Sequence, residues 1–169
     1  LAKEAGLIHH SKLSATRPKF FGQSSGLAVF SRHPIVDEHH AVYSSTSEWL
    51  NNKGFLRCRL RLPTGSCLNV VNTQLDTASP YHKRLQYSEL VAYVKVCLCY
   101  WVLCCFVCHH TPVQALQDGS DGRPTVVGGD FGISQQAGGG KRAYASLRKA
   151  FKSVGLRDCF GDKDVVTHP

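Results

Sequence analysis

The chain has 169 residues, 43% hydrophobic and 19% charged, with 20 Lys+Arg against 12 Asp+Glu and a formal net charge of +8. That length and composition fit one domain with a real core and exclude a disordered chain. The basic balance favours a phosphate-bearing partner, whether nucleotide, nucleic acid or lipid head group, but no basic run interleaved with aromatics marks a nucleic-acid groove.

The opening "LAKEAGLIHH" has the polar and apolar pattern of a helix already under way, and with no methionine in the chain it reads as a piece of a longer protein. No charged n-region followed by an apolar h-region stands there, and the compartment is left open. "GLAVFS", Gly26 to Ser31, is a short apolar run expected to be a buried strand. His33, before a proline, reads as structural. Asp37, Glu38, His39 and His40 read as a polar turn whose spacing does not mark a metal site.

"FLRCRLRLP", Phe55 to Pro63, alternates: Phe55, Arg57, Arg59 and Arg61 fall on one side, Leu56, Cys58, Leu60 and Leu62 on the other. This predicts a half-buried strand with a basic outer face, followed by the turn "PTG". "SCLNVVNTQL", Ser66 to Leu75, is a second apolar run read as a strand. In "YHKRLQYSELVAYVK" the spacing predicts a helix with Leu85, Leu90, Val91 and Val94 on one face.

"VKVCLCYWVLCCFVCHH", Val94 to His110, breaks the pattern and holds Cys97, Cys99, Cys104, Cys105 and Cys108, five of the eight cysteines. Its unbroken apolar run, Val96 to Cys108, is 13 residues, short of the roughly 20 that a membrane span needs. Cys-x-Cys, Cys-Cys and Cys-His-His lack the spacing of closed zinc sites, and neighbours on one helix do not easily form disulfides. The plain reading is a buried apolar helix with reduced thiols. The abrupt change in composition also marks residues 95–124 as an expected insertion.

"TVVGGDF" predicts a third buried strand, and "KRAYASLRKAFKSVGL" a helix with Tyr144, Leu147, Phe151 and Val154 on one face, stopped at Gly155. Strands alternating with helices and hairpins point to an α/β or α+β sandwich of sheets. Two strand ends could carry chemistry. Asp130 directly follows a strand, where a carboxylate serves as a Mg²⁺ ligand, as a general base, or simply as the cap of a turn. In "NVVNTQLDT" period-2 alternation puts Asn72, Gln74 and Asp76 on one face, which must meet water, a ligand or a hydrogen-bond network.

In order along the chain, "SSGLAVFSRHPI", "NNKGFLRCRLRL", "LNVVNTQLD", "RLQYSEL", "TVVGGDF" and "YASLRKAFKSVGLRDCF" resemble the endonuclease/exonuclease/phosphatase superfamily over about Phe20 to Asp158. "SGLAVFSRHPI" and "NKGFLRCRL" look most like its neutral sphingomyelinase branch, which hydrolyses sphingomyelin to ceramide and phosphocholine. The resemblance implies a four-layer α/β sandwich of two mixed sheets flanked by helices, here one partial domain over residues 1–169, incomplete at both ends. It implies a Mg²⁺-dependent phosphodiesterase acting on a phosphodiester, a lipid head group first and nucleic acid as the alternative; the shortness of the apolar run at 96–108 adds the expectation of no transmembrane span.

For residues, the resemblance implies Asp130 as base or water-orienting group, matching the family's Gly-Asp-Phe/Met-Asn motif. Gln74 and Asn72 join it at the catalytic strand end, and Lys53 and Arg84 are candidate phosphate contacts. Two positions depart from the pattern. Gln74 stands where the family has His, and Gly132 where it has Asn; a glutamine donates a hydrogen bond but carries no proton, and a glycine does neither. The family's metal-binding Glu lies on a strand upstream of the matched region, and its Asp-His pair downstream. A nuclease of the same superfamily and an inactive phosphate- or protein-binding remnant are the competing readings.

Overall fold

A computed structural model describes residues 2–12, 25–48, 52–98, 124–133 and 140–158, the side chains of 96–98 excepted. The chain divides into two compact units, Leu1–Gly132 and Ile133–Pro169. The first carries a two-stranded antiparallel sheet of β1 (His9–His10) and β2 (Phe30–Ser31). It also carries a four-stranded mixed sheet in the order β3-β4-β5-β6, made of β3 (Ile35–Val42), β4 (Gly54–Arg61), β5 (Cys67–Gln74) and β6 (Thr125–Asp130). Helix α1 (Pro80–Leu98) belongs to this unit and α2 (Gly140–Lys152) to the second. The result is an α+β fold with two sheets and two helices among the described residues.

The alternation of β4 builds two unlike faces. Leu56, Cys58 and Leu60 form one core with Val29, against which Leu27, Ile35 and Val70 pack. The irregular segment before β2 covers this face, held where Ser11 N donates to Val29 O at 2.9 Å and Val29 N donates to Ser11 Oγ at 3.1 Å. Helix α1 covers the other face, where Tyr93 meets Phe55 at 4.5 Å between ring centroids and stacks on His39 at 5.6 Å.

That second face corrects the expected basic outer surface. Arg57 is 2% exposed, donating to Asp37 Oδ2 at 2.5 Å and to the Tyr93 hydroxyl at 3.2 Å. Burial acts to lower the affinity of this guanidinium for its proton, but the hydrogen bonds to Asp37 and Tyr93 outweigh it and push the pKa up. The arginines alternate as expected; a helix, not water, lies over them.

Three further expectations change. Residues 2–6 form turns instead of a helix, closed by Gly6 N to Lys3 O and Leu7 N to Ala2 O, both 2.9 Å. Gly6 has φ +74°, a left-handed backbone through which an α-helix does not continue. The polar run at 37–40 lies in β3, whose register with β4 is continuous from Asp37↔Arg59 to Val42↔Gly54. And Leu85 points outward at 38% exposure, because α1 turns Gln86, Leu90 and Val94 to the core at a spacing of four. Gln86 goes inside because both ends of its amide are used: Oε1 accepts from Asp76 N at 2.6 Å, and Nε2 donates to Ser45 O at 2.7 Å.

Helix boundaries follow ordinary capping. Ser79 is the N-cap of α1, its carbonyl taking Lys83 N at 3.0 Å, with Pro80 at the first helical position. In the second unit, α2 ends where Leu156 N reaches Phe151 O and Gly155 N reaches Lys152 O, both 3.1 Å, with Gly155 at φ +83°. The thiol-rich run from Cys99 to His110 and most of the expected insertion lie outside the described residues, although α1 includes its first residues, 95–98. Among the described residues no helix is long and apolar enough to cross a membrane.

Candidate active site

Strands β5 and β6 pair in parallel, from Asn69↔Thr125 to Gln74↔Asp130. Helix α1 starts just beyond the end of β5, so both strands deliver their C-terminal ends to one edge, where loops of α/β sheets bind ligands. The pairing needs Gly129. A Cβ there would lie 2.0 Å from Thr73 O and 2.6 Å from Thr73 N, and its φ of +133° is a conformation that side chains rarely adopt.

Gln74 and Asp130 therefore sit side by side on one sheet face, Gln74 half-buried and Asp130 exposed. One oxygen of Asp130, Oδ1, accepts from Gly132 N at 2.8 Å, closing an Asx-type turn. The two sequence alternatives for Asp130 are thus compatible: it caps its own turn and still presents a carboxylate at the strand end. Lys83 Nζ, from the first turn of α1, donates to Gly132 O and ties the turn to the helix.

Asn72 is on the same face but is engaged: its Nδ2 donates to Ala28 O at 3.0 Å. Asp76, which the period-2 pattern placed with Asn72 and Gln74, is fully buried and lies past the end of β5. Its Oδ2 accepts from Ser47 N at 2.7 Å and Ser47 Oγ at 2.6 Å, and its Oδ1 from Ala78 N and Ser79 N at 2.9 Å each. Burial raises its pKa, but those hydrogen bonds, the Ser47 hydroxyl first, prevail and hold it at about 2.

Of the two candidate phosphate contacts, Lys53 is 6% exposed with Nζ 3.5 Å from Glu48 Oε2. Arg84 is on the exposed side of α1, one residue after Lys83. The structure thus joins Gln74, Asp130, Gly132 and Lys83 at one strand edge. Lys83 and Gln86 were not singled out from sequence, and Asp76 was placed there on one face with Asn72 and Gln74, whereas it is buried past the end of β5. The capping pattern Ser79-Pro80 was a readable signal that helix α1 starts there, with Lys83 in its first turn.

Metal binding is a matter of donor sets. Mg²⁺ takes about six oxygens in near-octahedral order. No group of three or more His, Cys, Asp or Glu comes together among the described residues, and Asp130 already commits one oxygen to Gly132 N. These residues alone do not make a magnesium site.

No family model matches the chain, and no curated protein matches it significantly. Solved structures do. Sphingomyelinase C from Streptomyces griseocarneus is similar at TM-score 0.52 and 18% identity, over 75% of this chain and 38% of that one. SmcL is similar at 0.58 and 15%, over 85% and 46%, and a beta toxin from Staphylococcus aureus with bound magnesium ions at 0.53 and 16%, over 76% and 39%. The chain spans less than half the length of each. At this identity the likeness shows the fold: the chain has, in part, the fold of bacterial sphingomyelinases, the fold that its sequence resemblance implied.

Proposed function

We propose that the chain is part of a phosphodiester hydrolase acting on phosphocholine lipids of the sphingomyelin type. The observation that carries this reading is the pairing of Gln74 with Asp130 at the shared C-terminal edge of β5 and β6, within a fold common to sphingomyelinases. Asp130 orients or deprotonates the attacking water. Gln74 donates to a phosphoryl oxygen and leaves proton transfer to others. Asn72, bonded to Ala28 O, keeps β5 against the segment before β2.

Mg²⁺ is expected from the resemblance and would supply charge neutralisation at phosphorus, with ligands beyond the described residues. Residues 95–124 are read as an insertion within one partial domain. A second reading, an inactive remnant that binds a phosphorylated ligand, is favoured by Gln74 and Gly132 standing where the family has His and Asn.

The test is incubation of the chain with Mg²⁺ and sphingomyelin vesicles, scored by phosphocholine release, with plasmid nicking run alongside for the nuclease alternative. Release that Asp130→Asn abolishes supports the lipid hydrolase. Nicking without release transfers the reading to a nuclease. No product from the wild type but product from Gln74→His/Gly132→Asn overturns both in favour of the remnant; no product from either removes those two substitutions as its basis.

A further inference from the structure

The empty position at residue 132 has a neighbour. A Cβ on Gly132 would lie 3.3 Å from Lys83 Nζ, 3.1 Å from Thr77 Cγ2 and 3.2 Å from Asp76 O. The ammonium of Lys83 thus borders the space that a side chain at 132 would enter, and it donates to that residue's own carbonyl. An ammonium has three hydrogens, of which Gly132 O takes one. Among the described residues Lys83 forms no ion pair.

The topology makes this placement more than local. Because β5 and β6 are parallel and α1 begins after β5, the first turn of α1 lies at the edge where Gln74 and Asp130 end. Lys83 in that turn comes with a positive charge to the group of residues expected to meet phosphate. Gly132 at φ +57° keeps its N–H on Asp130 and its carbonyl on Lys83, so one residue links the carboxylate to the cation.

We propose that Lys83 is an anion-binding residue of this site: it supplies, from α1, the phosphate-oxygen donor that Gly132 cannot. The inference deepens the proposed function, since the site is the same, but phosphate binding does not require hydrolysis. Gln74 is the second donor, on the adjacent strand, and the ligand is a phosphate mono- or diester oxyanion. Lys83 carries full charge where an asparagine would bring only an amide, so the replacement binds anions through Coulomb attraction as well as a hydrogen bond.

The experiment is titration of the glycine-¹⁵N-labelled chain with inorganic phosphate, following the amide signals of Gly128, Gly129 and Gly132, together with phosphocholine release on the same samples. Wild type should show saturable shifts at these three glycines. Lys83→Gln, which retains a donor for Gly132 O without the charge, should leave the free Gly132 signal near its wild-type position and weaken phosphate about tenfold or more. Lys83→Arg should restore binding, and Lys95→Met, at the far end of the same helix, should match wild type. Adding Gly132→Asn should recover affinity in the Lys83→Gln chain and gain little in wild type, where the two side chains compete for one space. Unchanged phosphate affinity in Lys83→Gln, or an equal loss in Lys95→Met, overturns the proposal even if hydrolysis is observed. Phosphate binding that needs Lys83, with no hydrolysis, sustains it while removing the hydrolase reading.

Discussion

Asp76 gives the sharpest quantitative test of how this strand edge is held. Its carboxylate, fully buried, accepts four hydrogen bonds that join the Ser47 loop to the start of α1, two residues after Gln74. The pKa falls from 3.8 to about 2, and at about 1.4 kcal/mol per unit this is roughly 2 kcal/mol of folding stability. Because the folded value is the lower one, that contribution is complete above pH ~4 and disappears as pH falls through about 2, with roughly half remaining near pH 3. Asp76→Asn removes the titration while keeping the shape, and it turns one acceptor oxygen into a donor facing the donors of Ser47 or of Ala78 and Ser79. Urea unfolding at pH 7 should place the variant at least about 2 kcal/mol below wild type, and the gap should narrow to about half by pH 3. A gap independent of pH would show that the clash of the new amide with those donors, not the ionised carboxylate, sets the difference; no gap at pH 7 would refute the network altogether.

Two further outcomes follow from single residues. Gly129→Ala forces a Cβ against Thr73 O, which it would approach to 2.0 Å, at a φ of +133°; the parallel pairing should open and stability drop by about 3 kcal/mol or more, read as a fall in thermal midpoint with Gly129→Ala compared against Gly65→Ala in the exposed β4–β5 turn. Cys58 is fully buried, and burial, then the nearby Glu38, pushes its thiol up to about 11. Iodoacetamide at pH 8 followed by peptide mapping should therefore leave Cys58 unlabelled in the native chain, at a point where partly exposed Cys67 is already modified.

Alternation and β-branched runs placed the strands Phe55 to Leu62, Ser66 to Leu75 and Thr125 to Asp130 within a residue or two, but of Gly26 to Ser31 only Phe30–Ser31 is a strand. The runs read as buried are not always so: Phe30 is 54% and Val126 48% exposed. What covers a face is not written in the alternation. Arg57 looked like a surface cation until α1 was seen to bring Tyr93 over it and β3 to bring Asp37 beside it. Gln86 and Leu85 exchanged roles for the same kind of reason. Apolarity ranks Leu first for the core, but Gln86 finds two backbone partners there, and a satisfied amide costs little to bury. The polar run Asp37 to His40 misled as a turn because half its side chains, Asp37 and His39, are paired or stacked on the helix-covered face.

The site divides along the same line. Asp130 and Gln74 each stand at a strand end legible in the sequence, but that they share one face comes only with the parallel register of β5 and β6. Lys83 is a helix residue whose partner, Gly132, is remote in the chain and joined to it by parallel pairing of strands that the sequence does not announce. A position with no side chain can look vacant in sequence while a cation from another element stands beside it. Gly132 and Lys83 are best understood as one unit: glycine leaves the room, keeps the left-handed turn that fastens Asp130, and exposes a carbonyl for the ammonium to rest on. Placing Asn at 132 alone therefore tests the pattern that the resemblance implies, while changing Lys83 tests the donor proposed in its place.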